Sequence, residues 1–268
     1  MALAIYRKYR PRIFEDLLGQ ELISQILKNA ASQNKFSHAY LFSGPRGSGK
    51  TTAARLISKT ANCRTRQTDA AFAKLGEPCN HCAACAEIDR GQALDVVEID
   101  AASNRGIDEI RNLKESVRLS PTSFPKKIFI IDECHMLTKE AFNALLKTLE
   151  EPPEHVIFIL ATTEFEKIPA TIVSRTQQFH FKKIPLMRIF DKLKKIAKSE
   201  KMEISTGALE LIAASAEGSF RDAESLLDQL LSFGYQKIGV DEVEGMVGKV
   251  AFSKTASFAE SLLIGQID

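Results

Sequence analysis

The chain has 268 residues, 44% of them apolar and 26% charged, the makeup of a folded globular protein rather than of a disordered chain, and it carries no low-complexity tract. Its formal charge of +2 excludes nucleic-acid binding by bulk charge, so any such role rests on a local surface. "YRKYRPR" at the N-terminus and the lysine-rich span Lys182 to Lys201 are the candidates, and each also reads as an ordinary solvated face. No apolar run is long enough to cross a bilayer and the first residues lack the apolar stretch of a secretion signal, so a cytoplasmic protein without membrane contact is expected.

The first predicted strand is "HAYLFS" (38–43), followed directly by "SGPRGSGKT". In that run Gly44, Gly49, Lys50 and Thr51 fit G-x-x-x-x-G-K-[ST], the loop whose backbone amides and following helix cradle phosphates. Pro45, Arg46, Gly47, Ser48 and Thr52 complete the stretch. Lys50 is expected to reach the β and γ oxygens and Thr51 to hold Mg²⁺. Next come four of the five cysteines, spaced C-x15-C-x2-C-x2-C at Cys63, Cys79, Cys82 and Cys85. In a reducing compartment such a cluster suits a closed tetrahedral Zn²⁺ site, which is structural because it leaves no position open for water. The long gap "RTRQTDAAFAKLGEP" reads as a looped insertion, and His81 is a lesser competitor for one ligand position.

Further predicted strands are "LDVVEI" (94–99), "KIFIID" (127–132), "VIFILATT" (156–163) and "TQQFHF" (176–181), with helical patterns between them. Strands spaced by helices predict a parallel α/β sheet covered on both faces. The strand "KIFIID" ends at Asp132 and Glu133, which places the first to assist Mg²⁺ and the second to polarise an attacking water. His135 reads as an exposed or capping histidine, and Cys134 as a small apolar residue at a strand end. Arg175 precedes the fifth strand and Arg221 opens a later helix; phosphoryl transfer uses such charges, although either alone is more often a surface salt bridge. From Pro185 onward three or four amphipathic helices predict a separate small domain. The last segment, "VAFSKTASFAESLLIGQID", reads as one helix that cannot bury its own apolar face, so the start of a truncated third domain is expected.

Taken together, "YRKYRPRIFEDLLGQ", "HAYLFSGPRGSGKT", "EIDAASNRGIDEIR", "FIIDECHMLTKEAFNALLKTLEEPPEHVIFILATTE", "IPATIVSRTQQFHF" and "GSFRDAESLLDQ" resemble the γ/τ family of bacterial DNA polymerase III, the AAA+ ATPases of the sliding-clamp loader. The resemblance runs almost continuously to about residue 250. It implies an AAA+ nucleotide-binding domain over 1–182 with a zinc module at 63–85, a helical lid over 183–248, and the beginning of an oligomerisation collar over 249–268. It further implies that Lys50 and Thr51 are Walker A residues, that Asp132 and Glu133 are Walker B residues, and that Thr163 senses the γ-phosphate. By the same resemblance Arg221 senses the nucleotide, and Arg175 acts in trans on the neighbouring subunit's ATP, in a Ser-Arg-Thr motif where Cys is usual at Thr176. Tyr6, Arg10, Pro11 and Leu18 border the adenine, and Arg105, Arg111, Lys147 and Lys167 face DNA.

The function so implied is ATP-driven opening of the sliding clamp and its loading onto primed DNA, without sequence reading, by a hetero-pentamer of clamp-loader subunits. ATP, Mg²⁺ and Zn²⁺ are the implied cofactors. Two other readings stay open at this point: a translocating, helicase-type motor, because "DECH" resembles the acidic box of strand-separating enzymes, and a scaffold subunit that no longer hydrolyses ATP.

Overall fold

The computed structural model describes residues 4–104, 107–234 and 237–248, together with Ser261. The predicted third-domain start at 249–268 lies outside these residues apart from that one serine. The chain divides into two compact units: Pro11–Lys182, and a second in which the described residues up to Arg10 pack with those from Lys183 onward. That differs from a first domain counted from Met1. Ile5 is buried in the helical core of the second unit, and the Tyr9 hydroxyl donates to Glu200 at 2.5 Å.

In the first unit β1 (Ala39–Ser43), β2 (Val96–Asp100), β3 (Lys127–Asp132), β4 (Val156–Thr162) and β5 (Gln177–His180) form one sheet in the order β2-β3-β4-β1-β5, and every pairing is parallel. The central strands read as unbroken apolar runs because both faces are covered. Their side chains alternate between two cores. Leu41, Phe129, Ile131, Phe158 and Leu160 pack on one side with Ile110 and Leu113 of α4 (Ile107–Arg118) and Phe142 and Leu145 of α5 (Lys139–Glu150). Tyr40, Phe42, Ile128, Ile130, Ile157 and Ile159 pack on the other with Ile23 and Leu27 of α1 (Glu21–Ser32) and Leu56 and Ile57 of α2 (Lys50–Asn62). Here α numbers are given to helices of eight residues or more.

This order decides where the chemistry sits. β1 lies beside β4, with Ser43 level with Thr162, and β4 lies beside β3, with Leu160 level with Ile131. The carboxyl ends of three inner strands distant in sequence thus meet at one end of the sheet, the end where open α/β sheets bind ligands.

The insertion between α2 and β2 is not simply a loop. It holds two short helices, Arg64–Thr68 and Ala70–Ala73, the second capped by the Asp69 carboxylate, which accepts from the amides of Ala71 and Phe72. Short polar turns with an Asp cap suffice to coil a stretch with no strong periodicity. α3 (Ala83–Arg90) closes the insertion.

The second unit contains, among the described residues, α6 (Leu186–Ser199), α7 (Thr206–Ser215), α8 (Phe220–Ser232) and α9 (Val240–Val247). Ile189, Leu193, Ile196, Leu209, Ile212, Leu227, Leu230 and Val243 form its core. Ser205 and Ser219 cap α7 and α8 by accepting the amides of Ala208 and Asp222. No helix among the described residues is long and apolar enough to cross a membrane.

Candidate nucleotide and metal sites

β1 ends at Ser43 and α2 begins at Lys50, and the six residues between turn the chain through three left-handed glycines: Gly44 (φ 141°), Gly47 (φ 71°) and Gly49 (φ 104°). Gly44 has no alternative, since a Cβ there would lie 2.3 Å from the Phe181 carbonyl oxygen. Gly49 is the residue before α2, so the unpaired amides of that helix's first turn open onto the loop. Ser48 closes it by donating its hydroxyl to the Pro45 carbonyl at 2.8 Å. Lys50 is only 6% exposed and folds back, its Nζ donating to the carbonyls of Gly44 (2.7 Å) and Pro45 (2.9 Å). Burial lowers its pKa, opposed by the nearby charges of Glu133 and Asp132. The amine is therefore desolvated and close to the loop, and among the described residues no carboxylate is bonded to it. Arg46 is exposed and Thr52 half-buried.

The acidic strand end meets this loop directly. The Thr51 hydroxyl donates to Asp132 Oδ2 at 2.7 Å, bringing together two hard oxygen ligands of the kind Mg²⁺ takes. Glu133 adopts a left-handed conformation (φ 47°) that breaks β3 and turns its carboxylate toward β4. There Oε2 accepts from the amide (3.2 Å) and hydroxyl (2.8 Å) of Thr163. A non-glycine residue held at positive φ stores strain, and such strain gathers at functional sites. Cys134 is buried against the sheet, where desolvation raises its pKa.

Two residues of this site were not singled out by their sequence context. His135 is neither exposed nor a cap: its side chain is 6% exposed, Nδ1 lies 3.0 Å from Thr162 Oγ1 and 3.4 Å from Glu133 Oε2, and Nε2 lies 3.1 Å from Glu164 Oε1. With one ring nitrogen at the Thr162 hydroxyl and the other at the Glu164 carboxylate, the ring ties the β3 end to the β4 end. Gln20, 4% exposed, donates from Nε2 to the carbonyls of Ser48 (3.3 Å) and Lys182 (2.8 Å) and accepts from the Lys182 amide. Nothing in a lone Gln ahead of a helix signals that; only the fold brings its partners together.

The four cysteines converge although fifteen residues separate the first from the second. Cys63 follows α2, Cys79 lies within the insertion, Cys82 immediately precedes α3, and Cys85 lies in its first turn. Their sulfurs all lie within 4.8 Å of one another, and all four thiols are free of disulfides. Tetrahedral Zn–S bonds of about 2.3 Å require sulfurs about 3.8 Å apart, so the donor set fits zinc. The amides of Cys79 and Cys82 donate to the sulfurs of Cys63 (3.4 Å) and Cys79 (3.3 Å), bonds that favour thiolates. The Cys85 thiol holds the Cys63 pKa down to about 4, and its own pKa is raised by the same contact. His81 is exposed, with its ring at the Cys79 carbonyl, outside the sulfur cluster.

The remaining predicted residues divide between the two units. Arg175, after the short helix Ala170–Val173, is held by Glu150 through two guanidinium nitrogens and by the Thr171 carbonyl. Leu18 lines a shallow cleft with Glu15, Leu17, Glu21, Ser24, Gln25 and Lys28, and Pro11 opens the sheet unit. In the helical unit the Arg221 guanidinium lies 5.3 Å from the centre of the Tyr6 ring, and Arg10 bears on Glu224. Lys147 is exposed on α5, and Lys167 is paired with Glu164 at 2.8 Å. Arg105 and the Arg111 side chain lie outside the described residues.

A phosphate loop after β1, an acidic pair after β3 and a polar threonine after β4, on this strand order and followed by a helical unit, define a P-loop ATPase of the AAA+ architecture. Solved structures agree on the fold: the RuvB Holliday junction branch migration motor of Thermotoga maritima superposes with a TM-score of 0.58 over 87% of this chain and 70% of that one, at 20% identity. Two family models match, one described as DNA polymerase III, delta subunit, over residues 19–185, and one as DNA polymerase III clamp loader subunit, ATPase lid domain, over residues 188–236. DNA polymerase III subunit tau of Bacillus subtilis is 52% identical over 97% of this chain and 45% of its own length. Subunit gamma/tau of Mycoplasma genitalium is 46% identical (100% and 44%), and subunit tau of Escherichia coli 44% identical (96% and 39%). The chain belongs to the γ/τ family of DNA polymerase III clamp-loader subunits. It spans less than half the length of these three relatives.

Proposed function

We propose that this chain is the ATPase portion of a clamp-loader subunit, which binds and hydrolyses ATP to drive opening of a sliding clamp and its loading onto primed DNA in the cytoplasm. The observation that carries the reading is the Thr51–Asp132 hydrogen bond, flanked by the inward-folded Lys50 and by Glu133 on Thr163. A scaffold that had lost hydrolysis would have no need of this set intact.

The roles follow from the chemistry. The loop amides and the start of α2 cradle the phosphates, and Lys50 exchanges two carbonyl acceptors for phosphate oxygens. Thr51 and Asp132 would hold Mg²⁺, which supplies charge neutralisation to the phosphates when bound. Glu133 takes the proton of the attacking water, and Thr163, bonded to that carboxylate, is positioned to exchange it for the γ-phosphate. Arg175 supplies positive charge to a neighbouring subunit's ATP once Glu150 releases it, and Arg221 senses the nucleotide. Cys63, Cys79, Cys82 and Cys85 hold a structural zinc that takes no part in the reaction. Tyr6, Arg10, Pro11 and Leu18 border the adenine, and DNA is gripped through its phosphates by basic residues including Lys147 and Lys167.

The test is ATP turnover of the full-length protein assembled with its partner subunits, with and without primed DNA and with and without clamp. Stimulation that needs both supports clamp loading. Stimulation by DNA alone, indifferent to the clamp, replaces it with a translocating motor.

A further inference from the structure

The segment Arg12–Gln20 has little regular structure beyond the single turn Phe14–Asp16, yet Phe14 is fully buried and Leu17 is 4% exposed. An irregular segment buried to that degree needs outside partners for its backbone. They come from the cysteine insertion, from Lys59 of α2 and from Ser24 of α1, whose hydroxyl donates to the Phe14 carbonyl at 2.6 Å. Glu77, two residues before Cys79 and 8% exposed, accepts the Phe14 amide at 2.7 Å on one oxygen and the Glu15 amide at 3.3 Å on the other. Lys59, 1% exposed, donates to the Asn80 side chain at 2.7 Å and to the Arg12 carbonyl at 3.4 Å, and pairs with Asp89 at 3.0 Å. Asn80, beside Cys79, reaches Lys59 from a left-handed conformation (φ 63°). Gly76 packs so closely on α1 that a Cβ there would lie 2.3 Å from the Lys28 carbonyl oxygen.

The other end of the same segment touches the phosphate loop. Leu17 Cδ2 lies 3.7 Å from where a Cβ on Gly49 would be, and Gln20 donates to the Ser48 carbonyl. The segment is thus fastened to the cysteine module at Phe14 and Glu15 through Glu77, to α2 at Arg12 through Lys59, itself bonded to Asn80 of the module, and to the loop at Leu17 and Gln20.

We infer that the cysteine module is a brace for the phosphate loop, transmitted through Arg12–Gln20, with Glu77 as the positioning residue. A carboxylate bonded to two backbone amides is a charge-assisted link, and removing it takes the partner from the buried Phe14 amide and from the part-buried Glu15 amide. Ordering of the loop then depends on a module that touches no nucleotide. The inference rests on the nucleotide-binding reading of Gly44–Thr51, and hydrogen exchange tests it without nucleotide.

The experiment compares the full-length wild-type protein with Glu77→Ala, Glu77→Gln and, as an exposed control, Lys74→Ala. Zinc content, amide hydrogen exchange and Kd for a fluorescent ATP analogue are measured on each. Glu77→Ala is expected to retain its zinc, to exchange faster at residues 14–18 and also at 44–52, and to bind the analogue roughly tenfold more weakly, a factor that corresponds to about 1.4 kcal/mol. Glu77→Gln, whose carbonyl still accepts an amide, falls between it and wild type. Lys74→Ala matches wild type. Faster exchange confined to 14–18, with the loop unchanged, overturns the inference whatever the nucleotide does. If Glu77→Ala does not fold, Glu77→Gln decides by the same two exchange regions. Should wild type bind no nucleotide while the loop still loosens in Glu77→Ala, the nucleotide reading falls and the brace stands.

Discussion

The Thr163 hydroxyl donates to the Glu133 carboxylate at 2.8 Å, and the Thr163 amide donates to the same oxygen. One residue of β4's end thereby fixes the direction of the carboxylate at β3's end. A general base acts only within hydrogen-bond reach of the proton it takes. Thr163→Val keeps the shape but loses the hydroxyl, so ATP affinity is expected to hold while turnover falls roughly 10–100-fold. Parallel measurements of nucleotide Kd and steady-state turnover check this; unchanged turnover removes Thr163 from the site.

Gly44→Ala tests the loop. The position combines φ 141° with a backbone oxygen 2.3 Å from any Cβ, so the loop must shift to admit a methyl group. A loss of about 1–3 kcal/mol in stability is expected from strain of this kind, with nucleotide binding abolished. Thermal unfolding and equilibrium binding measure the two effects.

How much of this was readable beforehand differs by residue. The phosphate loop and the acidic pair are legible because backbone geometry imposes them: glycines where only positive φ fits, a carboxylate where an apolar strand ends. The cysteines are legible because zinc demands a fixed ligand chemistry. His135 and Gln20 are not, because their partners sit on strand ends that approach only when β1, β4 and β3 line up, and a lone polar residue carries no periodicity. The coiling of 64–73 is not legible for a different reason: an Asp cap on a four-residue helix is too short a signal to stand out from a loop. Residues 4–10 illustrate tertiary override, since one apolar side chain, Ile5, takes them into the helical core.

Arg175 is neutralised within its own subunit by Glu150, two guanidinium nitrogens engaging one carboxylate oxygen. Acting in trans requires that contact to break. In the assembled complex Arg175→Ala is expected to bind ATP normally and to lower hydrolysis at the neighbouring site by about 10³-fold or more. Mixed complexes with one mutant subunit locate the loss. A defect in the mutant subunit's own site instead would show that the arginine serves its own nucleotide.

Glu224 is 4% exposed in the helical core and pairs with Lys192 at 2.7 Å. Burial pushes its carboxyl pKa up, and Lys192 and Arg10 pull it back. An acid with a raised folded pKa binds more protons folded than unfolded, so stability falls as pH rises from its unfolded value through the folded one. Lys192→Met removes the largest opposing charge and widens that window. It is expected to cost about 3 kcal/mol at pH 7. The deficit against wild type shrinks as the pH falls to 5 and Glu224 takes up its proton; urea unfolding at both pH values checks the sign, and an equal deficit contradicts it.

The central claim is that Glu133 activates water at a site that binds ATP without it. Glu133→Gln keeps the shape and removes the base. Kd for ATP and single-turnover hydrolysis are measured on the full-length protein in its assembled complex with clamp and primed DNA. The account predicts a wild-type Kd and hydrolysis slowed at least 10²-fold; hydrolysis at the wild-type rate would contradict it.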